Sequence, residues 1–157
     1  MKLIPDRDQP KRELQRAGIL RKMRLVRELG YKTLFLDEVN FTKLSMMKQE
    51  WSNKGTNISV DQKQVYTGYV SVCATICEDT GIEALVFQNR AYDRYDFIQY
   101  LYWLSYINNG QPLAIFMDNL SAHKTAETKL AYQQLVILPI FNLAYSPDYN
   151  PIELVFA

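Results

Sequence analysis

The sequence predicts a mixed α/β domain, and three observations predict it. Short apolar runs recur in TLFL, PLAIFM and LVILPIF, as in buried strands. A longer stretch, QVYTGYVSVCATIC, alternates, then turns at EDTG and returns as IEALVFQ, the pattern of a hairpin. Helical windows separate the later runs, and helix crossovers between strands impose parallel pairing.

Taken in order, residues 12–29 read as a helix. Ile19, Leu20, Met23 and Val26 fall on one stripe, Gly30 suits a stop, and Gly18 counts against the assignment. Leu34 to Leu36 form the first strand. In the hairpin, Val70, Val72, Ala74 and Ile76 fall on one side and Ser71, Cys73, Thr75 and Cys77 on the other. A helix follows from about Asp93 to Ile107, with Phe97, Ile98, Leu101 and Leu104 as its apolar stripe and Asn108-Asn109-Gly110 as its end. After PLAIFMDN, Ser121 is placed to cap a helix running to about Gln134. Leu135 to Phe141 is the last apolar strand. The order is β, β-hairpin, α, β, α, β, α.

Composition narrows the function classes. With 157 residues, 48% hydrophobic and 22% charged, the chain suits one domain with a core rather than a disordered segment. No run of 18 apolar residues occurs, so no membrane-spanning helix and no membrane partner is expected. MKLIPDRDQPKRELQR lacks the apolar stretch of a signal peptide. Cys73 and Cys77, four apart on a strand, would sit about 13 Å apart, too far for a disulfide. They are expected to be buried small side chains. Charge is uneven: residues 1–32 hold ten Lys/Arg and four Asp/Glu, or +6 of a net +1, leaving −5 for the rest. A basic helical segment over residues 1–30, ahead of a domain over residues 31–157, suits a polyanion, although a solvated helix face would look the same. Arg21, Lys22, Arg24 and Arg27 are the candidate phosphate contacts, with Lys124.

Two buried strands end in acids, Asp37 in FLDEVNF and Asp118 in FMDNLSAH. If those strands are parallel neighbours, about 4.8 Å apart, their carboxylates face one another. That is costly unless a cation lies between them. A third acid, Glu153, closes SPDYNPIE. Asn150 suits an N-cap, Pro151 the first helical position, and Glu153 the third, a capping box worth about 1 kcal/mol. A glutamate in a first turn also points out from the helix start toward a crevice. The local pattern allows both uses.

FLDEVNF, FMDNLSAHK and YSPDYNPIE, in this order and with 34 residues between Asp118 and Glu153, resemble the catalytic domain of Tc1/mariner-like transposases, most closely the IS630 type. WSNKG, Trp51 to Gly55, resembles the Trp…Gly stretch the family carries after its first acid. The resemblance implies an RNase H-like fold, a mixed five-stranded sheet flanked by helices. It implies a catalytic, metal-holding triad of Asp37, Asp118 and Glu153 with two Mg²⁺ or Mn²⁺ ions. It implies DNA as partner, strand cleavage and strand transfer as reaction, and no small-molecule substrate. Mg²⁺ takes oxygen ligands and keeps several waters, so a few carboxylates and a phosphate suffice. Two ions 3.5–4 Å apart serve the attacking and leaving oxygens of a displacement. On this scheme Asp37 bridges the ions, while Asp118 and Glu153 each hold one.

Other residues fall around that triad. His123, the single histidine, is expected in a structural or supporting role, and Asn119 near the second acid's loop. Glu38 points to the opposite face from Asp37 and is left outside the triad. Tyr92, Tyr95, Tyr100, Tyr102, Trp103 and Tyr106 are expected to pack in the core and at its rim rather than to stack on bases.

The chain departs from the family pattern in three places. About 30 residues precede the first strand, too few for the family's helix-turn-helix region. Phe156 stands where relatives carry Trp. The helix opened by Asn150 has about one and a half turns before Ala157, so the domain reads as C-terminally truncated. A homo-oligomer or a separate recognition subunit is then the expected partner. The alternative to an active enzyme is a remnant that binds DNA or a partner subunit without catalysis. A third reading, a haloacid-dehalogenase-like phosphotransferase with Asp37 as nucleophile, fits poorly, because Val39 and Asn40 supply no second Asp two residues after Asp37.

Overall fold

The computed structural model describes residues 9–42, 69–143, 146 and 149–156. WSNKG and residues 64–68 of the hairpin expectation lie outside them. Helix α1 (Gln9–Glu28) is followed by strand β1 (Lys32–Thr42) and the hairpin β2 (Tyr69–Cys77) and β3 (Gly81–Gln88). Then come α2 (Arg94–Ile107), β4 (Leu113–Met117), a 3₁₀ turn (Ser121–Lys124), α3 (Ala126–Gln134), β5 (Ile137–Phe141) and the short α4 (Glu153–Phe156). The strands form one sheet in the order β3-β2-β1-β4-β5. β1–β2 and β2–β3 are antiparallel, while β1–β4 and β4–β5 are parallel. This is the mixed five-stranded sheet the sequence implies, with the hairpin as its antiparallel half.

Chemistry at the ends sets the elements. Gly30, at φ +80°, closes α1: its N–H donates to the Arg27 carbonyl, and the Tyr31 N–H donates to that of Val26. A side chain with a Cβ resists that left-handed conformation. Asp93 caps α2 in a reciprocal box with Asp96. The cap of α3 is not Ser121, as the sequence suggests, but Thr125, whose hydroxyl accepts from the Thr128 N–H at 3.1 Å. Ser121 opens only the 3₁₀ turn, whose start makes no side-chain cap bond.

Two cores flank the sheet. One holds Leu34, Leu36, Cys73, Cys77, Leu113, Ile115 and Met117 beneath Phe97, Leu101 and Leu104 of α2 and Tyr132 of α3. The other holds Phe35, Ala114, Phe116 and Ile140 beneath Met23 and Val26 of α1. The larger core takes the Ser71–Cys73–Thr75–Cys77 side of β2, so the face that looks more polar is the one the α2 helix covers. Thr75 is satisfied there by a hydroxyl–hydroxyl bond of 2.6 Å to Tyr100. Both cysteines are buried and unpaired with one another, as expected.

Three details of the sequence reading change. Leu20 is not packed with its stripe but is 51% exposed. Ile98 is only half-buried, and Tyr100 takes its place in the core. Of the aromatic group only Tyr100 is buried. Tyr92 is partly buried, whereas Tyr95, Tyr102, Trp103 and Tyr106 (81%) are exposed, because they lie on the flanks of α2 away from the sheet.

Candidate active site

Strand parity puts the acids on known faces. Phe35 of β1 pairs with Phe116 of β4, and both face α1. Two positions on, Asp37 and Asp118 continue the same two rows, since side chains repeat every second residue. The two carboxylates therefore stand at the C-terminal ends of adjacent parallel strands, on one face, as the apolar runs imply.

Glu153 joins them from the far end of the chain. The Asn150 side chain donates from Nδ2 to the Leu36 carbonyl, 3.1 Å away and 114 residues distant in sequence. Ile152 is fully buried beside it. These two anchors set the start of α4 against β1. The capping-box reading is thereby corrected: Asn150 spends its amide on β1, and Glu153 turns to Asp37 rather than back to Asn150. Among the described residues, backbone bonds hold the turn itself, from the Glu153 N–H to the Asn150 carbonyl at 3.1 Å and from the Leu154 N–H to that of Pro151.

The electrostatics are those of crowded anions. Burial pushes the Asp37 carboxyl up. A 2.8 Å hydrogen bond from the Glu38 N–H opposes this, but the charges of Glu153 and Asp118 and a shared hydrogen bond with Glu153 bring it to about 7. Asp118 is more open and accepts from the Leu120 N–H at 3.3 Å. Among the described residues, no three His, Cys, Asp or Glu side chains are arranged to hold a single ion. The carboxylates instead cluster about Asp37, and their oxygen-only chemistry fits a hard divalent cation.

On the opposite face lies an arrangement that sequence reasoning undervalued. Glu38 accepts from or is paired to His123 Nε2 at 3.2 Å, and His123 Nδ1 lies 3.1 Å from Asp118 Oδ1. The Nδ1 contact is a charge contact rather than an aligned hydrogen bond. His123 is 1% exposed and rests on the Phe97 ring, with centroids 4.2 Å apart. Burial alone would lower its pKa, but the two carboxylates outweigh that and raise it to about 9. The only local signal was the acid pair Asp37-Glu38 itself.

The remaining candidates are placed as follows. The Asn119 amide donates to the Asn142 carbonyl and accepts from Lys124, tying the ends of β4 and β5 together beside Asp118. Lys124 also lies 4.6 Å from the Phe141 ring centre. Arg21, Lys22, Arg24 and Arg27 are exposed along α1, and Arg27 is paired with Glu78.

With this geometry in view, comparison with known families is decisive. Residues 32–157 match the family model described as DDE superfamily endonuclease. The chain belongs to that family. This DDE domain is also similar in fold to solved structures of Mos1 transposase. The catalytic domain of Mos1 mariner transposase matches with a TM-score of 0.66 at 14% identity, over 99% of this chain and 71% of that one. The Mos1 catalytic domain with Raltegravir and Mg matches at 0.65 and 14%, over 96% and 69%. The Mos1 paired-end complex with the left transposon end matches at 0.68 and 14%, over 99% of this chain and 48% of that one. The DDE domain thus spans about half the length of the transposase in that complex. No curated protein matches the sequence.

Proposed function

We propose that this DDE domain is a Tc1/mariner-like transposase catalytic domain that cleaves DNA strands and transfers them. The observation that supports the reading is the grouping of Asp118 and Glu153 about the Asp37 carboxyl, which burial first, and then their charges and a hydrogen bond with Glu153, raise to about 7. Family membership and the Mos1-like fold support it, as do the motif order and the spacing from Asp118 to Glu153. Mos1 structures are described with Mg, with Mn and with a transposon end, which supports a divalent metal and DNA here.

Asp37 with Asp118, and Asp37 with Glu153, would hold divalent metal, which when bound supplies charge neutralisation at a phosphodiester and an activated oxygen nucleophile. The protein's own contribution is positional. The strand ends fix Asp37 and Asp118. Asn150 and Ile152 deliver Glu153, and His123 steadies Asp118 from behind. Exposed basic side chains, including Arg21, Lys22, Arg24, Arg27 and Lys124, would bear on DNA phosphates and set position rather than sequence.

The test is incubation with supercoiled plasmid and Mg²⁺ or Mn²⁺, beside Asp37→Asn and Asp118→Asn. Metal-dependent nicking lost in both variants supports the enzyme. Absent nicking with salt-sensitive DNA binding retained would instead identify a non-catalytic DNA-binding remnant.

A further inference from the structure

Among the described residues, apolar packing holds the C-terminal half of α1. Met23 and Val26 are buried there, with Ile19 packed beside them. Over residues 9–18 no side chain is buried, and Arg12 alone is even partly covered. A helical stretch of that length is marginal in water without something to rest on. Its contacts run to the far end of the chain. The Arg12 guanidinium donates to Ser146 Oγ, across 134 residues of sequence. One turn on, the Arg16 guanidinium lies 4.8 Å from the centre of the Tyr149 ring, a cation–π contact. The two arginines are four residues apart, so they leave α1 from the same face.

Ser146 and Tyr149 belong to the segment that delivers Glu153. Ser146 is buried, and its carbonyl accepts from Asn142 Nδ2 at 2.7 Å and from the Tyr149 N–H at 3.3 Å. The Asn142 N–H donates to the Met117 carbonyl at 2.8 Å, one residue before Asp118. Tyr149 is followed directly by Asn150, whose amide reaches the Leu36 carbonyl, one residue before Asp37. The segment is thus tied to the ends of both strands that carry the aspartates, and α1 adds a third attachment. The short α4 needs such support. It has four residues, none of them buried, and a helix of that length does not stand alone.

We infer that Arg12 and Arg16 are positioning residues for Glu153, bracing the Ser146–Tyr149 segment so that α4 starts with its carboxylate toward Asp37. The inference deepens the proposed function and rests on its reading of Glu153 as a metal-holding side chain. It also divides the positive charge of α1. Arg12 and Arg16 serve the shape of the site, while Arg21, Lys22 and Arg24 stay exposed along the helix. The brace has a sign that charge alone would not give. Removing two cations near a divalent-ion site should tighten ion binding by relieving repulsion, whereas loosening a ligand should weaken it.

The test compares the full native chain with Arg12→Ala/Arg16→Ala and with Arg12→Lys/Arg16→Lys, in two arms. In EDTA, hydrogen exchange reads the Glu153, Leu154 and Val155 amides, which donate to the Asn150, Pro151 and Ile152 carbonyls. Their exchange should quicken about tenfold in the alanine variant while β1 and β4 keep their protection. The lysine variant, which keeps charge and donors, should recover part of the loss. In the second arm, Mn²⁺ titration followed by electron paramagnetic resonance should show binding weakened about fivefold by the alanine pair. The same pair added to Glu153→Gln should weaken it no further, because the ligand it braces is already gone. Unchanged exchange at residues 153–155, or exchange raised equally throughout the domain, overturns the inference. So does Mn²⁺ binding that is unchanged or tighter, or a fivefold loss that persists beside Glu153→Gln. The two readings fail separately. A native chain that binds no Mn²⁺ while the exchange arm responds removes the metal-holding reading and leaves Arg12 and Arg16 as supports of the turn.

Discussion

His123 provides a prediction that can be worked through in energy. Its imidazole is buried between Glu38 and Asp118 and raised from an ordinary 6.5 to about 9. The folded state therefore holds a proton that the unfolded chain releases between those values. Stability from this source is fully present below pH 6.5 and is lost as pH rises through about 9. At 1.36 kcal/mol per pH unit, the ceiling is about 3 kcal/mol. Asp118 is partly open to solvent, and its contact with Nδ1 is misaligned, so its share is screened and about 1–2 kcal/mol is the working figure. The assay is urea unfolding in EDTA at intervals from pH 7.5 to 9.5, a window above the raised Asp37 carboxyl. The native chain should lose stability across it, while Glu38→Gln should flatten the slope, with m unchanged in both. Parallel slopes for the two proteins, or stability rising with pH, would refute the argument.

The other predictions concern single contacts. Asp37→Asn should abolish metal-dependent nicking yet stabilise the metal-free fold above pH 7, by about 1–2 kcal/mol, because it removes a buried charge facing two others. The same variant should lose the rise in melting temperature that Mg²⁺ gives the native chain. Asn150→Ala removes the bond to the Leu36 carbonyl and should cost about 1 kcal/mol in urea unfolding. The figure is modest because Asn150 Oδ1 is already buried without a partner. Nicking should fall further than that cost implies, since Glu153 loses its anchor. Thr125→Ala should cost about 1 kcal/mol, whereas Ser121→Ala should stay within about 0.5 kcal/mol, the reverse of what the sequence alone suggests.

What the sequence could show depended on how local the cause was. Strands β1, β4 and β5 were legible because each is an apolar run bounded by polar residues, and the acids ending two of them marked the crevice. The α2 helix was legible from Asp93 and from the Asn108-Asn109-Gly110 stop. The covered face of β2 was not, because α2 lies over Cys73 and Cys77 while Val72 and Ala74 are buried on the other side as well. Asn150 shows the limit most plainly. Its neighbours spell a helix cap, but the carbonyl it serves belongs to Leu36, and no pattern within ten residues contains that partner. His123 is similar: a lone imidazole in NLSAHK acquires meaning only from Glu38, 85 residues earlier.

Asp37 and Glu38 are consecutive, so the pleat sends them to opposite faces, and each finds a different partner from the C-terminal half of the chain. Asp37 meets Glu153; Glu38 meets His123. Asp118 is influenced from both sides, through the charge of Asp37 and through His123 Nδ1. A one-residue slip of β1 would exchange the two acids and put Glu38, longer by a methylene, among the carboxylates. Leu34 and Leu36 prevent this, since both are fully buried in the larger core and a slip would turn them toward α1. The register that protects the core is thus the register that selects which acid faces Glu153. A core substitution at Leu36 should consequently disturb the site twice, through packing and through the carbonyl that holds Asn150.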